Sequence, residues 1–82
     1  MTKPTIHLNG TSRNDLYEAY YAAFRAVDEA VQVLHKSGPN GRDYYLQGAS
    51  AINTAVQEHR SRIERLEAVR EELLQLTEAC SE

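Results

Sequence analysis

The sequence predicts an all-α protein: an antiparallel helical hairpin that follows a short extended N-terminal arm. Two long stretches with helical periodicity are separated by one break at residues 37–42, which contains glycine and proline. The chain has 82 residues and a single cysteine, Cys80, so no disulfide within one chain can stabilise so small a core. We therefore expect one domain that associates with copies of itself into a compact homo-oligomer.

Residues 1–12 are predicted to form the arm, because Pro4 and the β-branched residues after it disfavour a helix. Thr11 or Ser12 then suits the N-cap position, since a side-chain oxygen there can accept a free backbone N–H group. The first helix should therefore begin at Arg13.

Apolar residues recur at alternating spacings of three and four over residues 13–36, which predicts the first helix. A longer helix with a heptad-like seam is predicted over residues 43–79, where no proline occurs. At about 1.5 Å per residue, the second helix would exceed the first by roughly 20 Å. This overhang would expose the leucines of residues 66–76 unless another copy covered them, which also favours a homo-oligomer.

Composition excludes several classes of function. The formal net charge of −3 argues against a DNA-binding protein, which would carry a basic face. No apolar stretch is long enough to span a bilayer, and the first dozen residues lack the apolar segment of a signal peptide. The histidines and the cysteine do not have the spacing of a metal site. We expect an intracellular protein without a membrane segment, metal or cofactor, and no enzyme, since no nucleophile, acid and base are arranged together.

The first candidate binding cluster lies where the arm meets the first helix. It consists of Asn9, Gly10, Thr11 and Ser12. Free backbone N–H groups at a helix start attract anions, and the two hydroxyls add donors, so the cluster suits a phosphate. The same residues can equally form an ordinary turn and helix cap.

The second candidate cluster is GRDYYLQG, residues 41–48. Arg42 can donate two parallel hydrogen bonds to a phosphate or carboxylate. Tyr44 and Tyr45 offer flat faces on which a base can stack. In the alternative interpretation, Asp43 caps the second helix and the tyrosines pack against the first.

The long helix carries the third cluster. His59 and Arg70 occupy seam positions, where a histidine is usually hydrogen-bonded and an arginine needs a partner from another helix or a bound anion. The solvated face is predicted to carry two ion pairs at i,i+4 spacing, Glu58 with Arg62 and Arg60 with Glu64.

These motifs resemble the helical-hairpin domain of phage anti-defence proteins. The shared pattern is IHLNGTS, a tyrosine- and alanine-rich helix, PNGRDYYLQG and a helix with EH..R, in this order over residues 6–76. The domain is common to type-two anti-CBASS proteins and type-one anti-Thoeris proteins. The resemblance implies a homohexamer that sequesters cyclic nucleotide messengers without cleaving them, in the cytoplasm of the infected bacterial host.

The resemblance also implies two ligand sites. Cyclic trinucleotides such as cyclic tri-adenylate would bind where three protomers meet, and cyclic dinucleotides of the cyclic GMP-AMP class would bind between protomers. The trinucleotide site would use Asn9, Gly10, Thr11, Ser12, Arg42 and an arginine of the long helix, with Arg62 the better match and Arg65 the alternative. The dinucleotide site would use Tyr17, Tyr20 or Tyr21 as the aromatic face and Lys3, Arg13 or Arg25 as the basic residue.

Two other functions stay open. Anti-Thoeris members hold cyclic ADP-ribose isomers and carry extra sequence, whereas this chain ends soon after the hairpin and is more similar to the anti-CBASS kind. A helical hairpin can also be a coiled-coil interaction module that binds another protein and no small ligand.

Overall fold

The computed structural model describes residues 1–6, 10 and 12–81, and over these residues it is all-helical, without strands. Two long helices, α1 (Arg13–Lys36) and α2 (Ala51–Ala79), pack against each other. Two short 3-10 turns, Gly41–Asp43 and Tyr45–Gln47, lie in the connection. The predicted helical hairpin is confirmed, and the predicted homo-oligomer stays a prediction. None of the helices in the described segments is long and apolar enough to cross a membrane.

Helix α1 begins and ends where its sequence predicts. Ser12 is the N-cap, and its Oγ accepts a hydrogen bond from the backbone N–H of Asp15 at 3.1 Å. The carboxylate of Asp15 also lies in the first turn, where the helix dipole favours negative charge. After Lys36 the N–H of Ser37 donates to the Leu34 carbonyl oxygen and closes the last turn.

Helix α2 begins at Ala51, so the prediction that it begins at Asp43 is wrong. Gly48 has φ 107° and ψ 165°, a conformation that breaks an α-helix and is open almost only to glycine. Apolar spacing did not reveal the break, because Leu46 and Ala49 continue the seam in sequence although both are exposed in the structure.

The connection has its own caps. The side-chain oxygen of Asn40 accepts the backbone N–H of Arg42 at 2.9 Å and so caps the first 3-10 turn. Asp43 lies inside that turn, so its predicted role as the cap of α2 is wrong. Ser50 precedes α2 and makes no side-chain cap hydrogen bond.

The predicted overhang at the C-terminal end of α2 is also wrong. Helix α2 has 29 residues against 24 in α1, and its end returns to the start of α1. There Cys80, which is almost fully buried, borders the same groove as Arg13 and Tyr17. The leucines of residues 66–76 are half-buried within the hairpin. A late start of α2 therefore removes the overhang that a longer helix would have had.

The unpaired part of α2 lies at its beginning instead. His59 Nε2 donates to the Leu34 carbonyl oxygen at 2.7 Å, so His59 marks the level at which α1 ends. The first two turns of α2 extend beyond this level, where the 3-10 turn Tyr45–Gln47 packs against them. We call this end of the hairpin, residues 37–58, the connection end. The opposite end, where α1 begins and α2 ends, is called the terminal end.

The core is a thin seam between the two helices. In the described part of the chain, the buried hydrophobic residues are Val31, Ile63 and Cys80. The radius of gyration is 18.2 Å, whereas a compact domain of this length has about 12 Å. One chain by itself therefore leaves much of both helices in contact with water.

Candidate functional site

The predicted site residues lie at the two opposite ends of the hairpin. Gly10, Ser12 and Tyr17 belong to the terminal end, whereas Arg42 and Tyr44 belong to the connection end. Arg62 lies on α2 close to the connection end and lines the same groove as Tyr44. Asn9 and Thr11 lie outside the described residues, so the predicted phosphate-binding turn is placed through its two described members alone.

The distance between the two ends decides what one protomer can bind. Arg62 lies less than one turn after His59, which contacts the end of α1, and Ser12 precedes the start of α1. Helix α1 therefore separates Ser12 from Arg62 by roughly 30 Å. A single protomer cannot bring both residues to the same small ligand.

A groove at the connection end contains Tyr44 and Arg62. Its volume is about 540 Å³, within the roughly 300–1,000 Å³ typical of small-molecule sites. Asp43, Glu58 and His59 also line it. We call this the polar groove. With two carboxylates beside one guanidinium it has no positive charge of its own, so a polyanion there would need cations from other copies.

Arg62 is free of ion pairs within the part of the chain that the structure describes. The predicted i,i+4 pairs are not formed: the ion pairs present all involve Arg70. Arg62 and Arg65 line a shallow depression next to the polar groove, and the Arg65 Nε donates to the Ser61 carbonyl oxygen at 3.3 Å. Both arginines named for the trinucleotide site thus lie on one exposed strip of α2.

The candidate residues of the connection differ in exposure and in what they contact. Arg42 is exposed in the first 3-10 turn, with its backbone N–H bound to Asn40. Tyr44 is half-buried and lines the polar groove, together with residues of α2. Tyr45 is 73% exposed, so the interpretation that both tyrosines pack against α1 is wrong for this residue.

An aromatic row runs along α1 from its second turn to its middle. The rings of Tyr17 and Tyr21 are 5.9 Å apart at an interplanar angle of 14°, and those of Tyr21 and Phe24 are 6.4 Å apart. The Arg25 Cζ lies 6.0 Å from the centre of the Tyr21 ring. The structure thus brings together three residues named for the dinucleotide site, whereas Tyr20 is half-buried and Lys3 is exposed in the arm.

The two seam residues of α2 have partners inside the hairpin. Arg70 Nη1 donates to Asp28 Oδ1 at 2.8 Å, and its Nη2 lies 3.5 Å from Glu67 Oε2. His59 donates to the Leu34 carbonyl oxygen. Both side chains are therefore explained by the fold, and neither requires a bound anion.

Sequence reasoning did not identify Asp28 as the partner of Arg70. The signal was present, since Asp28 follows Phe24 by four residues and precedes Val31 by three, which is core spacing on α1. A carboxylate at core spacing on one helix and an arginine at core spacing on the other predict an interhelical ion pair.

No cluster of three His, Cys, Asp or Glu side chains in the described segments is arranged to hold a metal ion. Comparisons of the chain with protein-family models, with curated proteins and with solved structures found no match.

Proposed function

We propose that this protein is a non-enzymatic sponge for cyclic oligonucleotides, in which associated hairpins enclose the ligand between them. The observation that carries the proposal is the exposed side chain of Arg62, which has no ion-pair partner in the described chain and lines the same groove as Tyr44. A free cation and an aromatic ring that line one groove suit a phosphate joined to a base. The NGTS and PNGRDYYLQG motifs resemble those of the phage anti-defence hairpin domain, and this resemblance suggests cyclic oligonucleotides as the class of ligand.

The geometry of one protomer supports a site that several copies share. Because Arg62 and Ser12 are roughly 30 Å apart along α1, an arginine and an N-terminal turn that contact the same phosphate must come from different copies. A cyclic trinucleotide has three phosphates related by near three-fold symmetry. A homohexamer has enough copies to offer each phosphate the same donors.

Charge also favours a shared site. Each chain carries a formal net charge of −3, so a polyanion is repelled unless local cations outweigh the overall field. Three symmetry-related arginines would do so, since each charge-assisted hydrogen bond contributes about 1.5–3 kcal/mol. Removing one arginine from the sequence removes it three times from such a site.

The test is calorimetry with cyclic tri-adenylate on the Arg62→Ala variant. We expect binding to be abolished while the sedimentation mass stays that of the unaltered protein. Lys36→Ala is the matched control, because it also removes one positive charge from an exposed side chain near the connection end, and Lys36 lies outside the polar groove. Equal wild-type affinity in both variants would contradict the proposed site.

A second ligand, a cyclic dinucleotide of the cyclic GMP-AMP class, is proposed at the aromatic row. Tyr21 is 42% exposed and has Arg25 above its ring, so a base could stack on it with a phosphate near the guanidinium. Tyr21→Ala should then lower dinucleotide affinity and leave trinucleotide affinity unchanged. An equal loss of dinucleotide affinity and trinucleotide affinity in this variant would argue against two separate sites.

The ligand should be released chemically unchanged in the cytoplasm of the infected bacterial host, where such messengers are made. Chromatography of the supernatant after heat denaturation of the complex tests this, and a linear product would mean that the protein cleaves its ligand. If no cyclic di- or trinucleotide and no cyclic ADP-ribose isomer raises the melting temperature, the interaction-module alternative is favoured.

A further inference from the structure

We propose that the connection end is a contact surface for a second copy of this chain, in which Tyr45 and Leu46 of each copy insert into an apolar groove of the other. The surface has two parts, a protruding pair of side chains and a groove, and both belong to the same end of the hairpin.

The protruding part is the apolar pair in the second 3-10 turn. Leu46 is 84% exposed and Tyr45 is 73% exposed, more than any other large hydrophobic residue in the described part of the chain. The pair precedes Gly48, whose positive φ ends the turn before α2 begins. A continuous helix would have kept Leu46 on the seam, so the break at Gly48 is what exposes this side chain.

The receiving part is a groove between the end of α1 and the first turns of α2. Its apolar lining consists of Leu34, Pro39, Val56 and Ile63. Val56 occupies a seam position but is 36% exposed, because α1 ends at the level of His59 and cannot cover it. The apolar seam of α2 thus extends beyond the end of α1, where solvent contacts it.

Surface area indicates what covers these parts. The chain exposes 6212 Å², whereas a compact monomer of its mass exposes about 5,000 Å². The excess of about 1,200 Å² exceeds the roughly 800 Å² that each partner covers in an interface of standard size. The excess accessible surface of an isolated chain is therefore large enough to be buried by contact with one or more copies of the same chain.

The arrangement at this end suits a two-fold contact. Because the pair and the groove belong to the same end of the hairpin, a two-fold contact lets each copy present its pair to the other copy's groove, and such a contact closes with two copies. Arg60 and Glu64 border the groove and form no ion pair with each other. A two-fold contact lets the arginine of one copy face the glutamate of the other.

This contact is one step in the assembly of the proposed sponge, but it needs no ligand and can therefore be tested without nucleotide. If nucleotide binding fails and the contact is found, the function is wrong and the contact stands. If nucleotide binds and the contact is absent, the assembly uses other surfaces.

The first experiment is sedimentation equilibrium of the full chain without ligand. The unaltered protein should have a mass that is a multiple of 9.3 kDa, and Leu46→Asp and Val56→Asp should each have a lower mass. Val69→Asp is the control, because Val69 is 43% exposed but lies on α2 far from the connection end, and it should retain the wild-type mass. Circular dichroism confirms that helicity is unchanged.

The second experiment is disulfide formation between two different chains. Leu46→Cys and Val56→Cys proteins, one carrying a tag that changes its mass, are mixed and oxidised, and the mixed disulfide should exceed either symmetric one. The unaltered chain is the control for Cys80, which is common to every sample. A wild-type mass of 9.3 kDa, an unchanged mass in both Asp variants, an equal loss with Val69→Asp, or no excess of the mixed disulfide would overturn the proposal.

Discussion

Ser12 is both a predicted anion-binding residue and the observed cap of α1. Its oxygen accepts the N–H of Asp15 at 3.1 Å, but a hydroxyl that accepts one hydrogen bond can still donate its proton to a phosphate. The cap and the binding site are therefore compatible at this residue. A substitution can separate them, because a cap needs only an acceptor and a phosphate needs a donor.

Ser12→Asp should keep the cap and disfavour a phosphate. Aspartate is as good an N-cap as serine, so the free energy of unfolding should change by less than about 0.5 kcal/mol, whereas Ser12→Ala should lower it by about 1 kcal/mol. Affinity for cyclic tri-adenylate should fall at least about tenfold in Ser12→Asp, because the new charge repels the ligand. Urea denaturation and calorimetry measure the two effects. Wild-type affinity in Ser12→Asp would mean that Ser12 is only a cap.

The ion pair between Arg70 and Asp28 should stabilise the hairpin modestly. The two side chains are 29% and 34% exposed, so solvent screens part of their attraction, and we expect a coupling of about 0.5–1 kcal/mol. A double-mutant cycle of Arg70→Met and Asp28→Asn measures it, since the pair of changes should cost less than the sum of the single ones. Additive losses would show that the charges do not interact.

The connection is the element that the apolar periodicity misrepresents. Residues 43–50 carry seam-like spacing, yet they do not join α2, because the connection folds into two 3-10 turns over residues 41–47. Asn40 caps the first of these turns and Gly48 ends the second. The consequence is geometric: α2 starts later, its end meets the start of α1, and its unpaired turns lie at the connection end. Gly48 is thus the residue on which the alignment of the two helices depends.

Gly48→Ala should destabilise the protein through its backbone alone. An added Cβ would meet no atom within 4 Å, but φ is 107° there, so the loss should be about 1–3 kcal/mol. Gly41→Ala is the matched control, since its Cβ would also meet nothing and its φ is not positive. Thermal denaturation compares the two. A rise in helicity without loss of stability in Gly48→Ala would show that residues 43–50 can join α2.

At the scale of the whole molecule, one hairpin is long and thinly covered. It extends over 61 × 20 × 17 Å, and its described buried hydrophobic residues lie along the seam between the two helices. The elongated shape also places the two groups of candidate site residues far apart. Self-association would cover the half-exposed faces and bring opposite ends of different copies together.

The melting temperature should therefore depend on protein concentration. For a dimer, a hundredfold rise in concentration adds about 1.4 kcal/mol per chain, which corresponds to a shift of roughly 5–10 °C for a domain of this size. Differential scanning calorimetry without ligand, over a hundredfold range of concentration, measures the shift. A constant melting temperature would indicate a monomer that is stable by itself.

The sequence by itself determined helix α1, a cap at Thr11 or Ser12 and the hairpin topology, since periodicity, capping residues and the break at residues 37–42 can all be read locally. The structure identifies Ser12 as the cap. The aromatic row also has a local cause, because Tyr17 and Tyr21 are four residues apart and so share one side of a helix.

Only the tertiary structure decided where α2 begins, which end of it is unpaired and how far Ser12 lies from Arg62. These properties depend on how the connection folds against α2 and on the level at which the helices align, and neither leaves a periodic signal in the sequence. The sequence also did not reveal that Arg62 has no ion-pair partner in the described chain. Spacing predicted its pair with Glu58, but an exposed pair of this kind contributes only a few tenths of a kcal/mol, about as much as the side-chain entropy that opposes it.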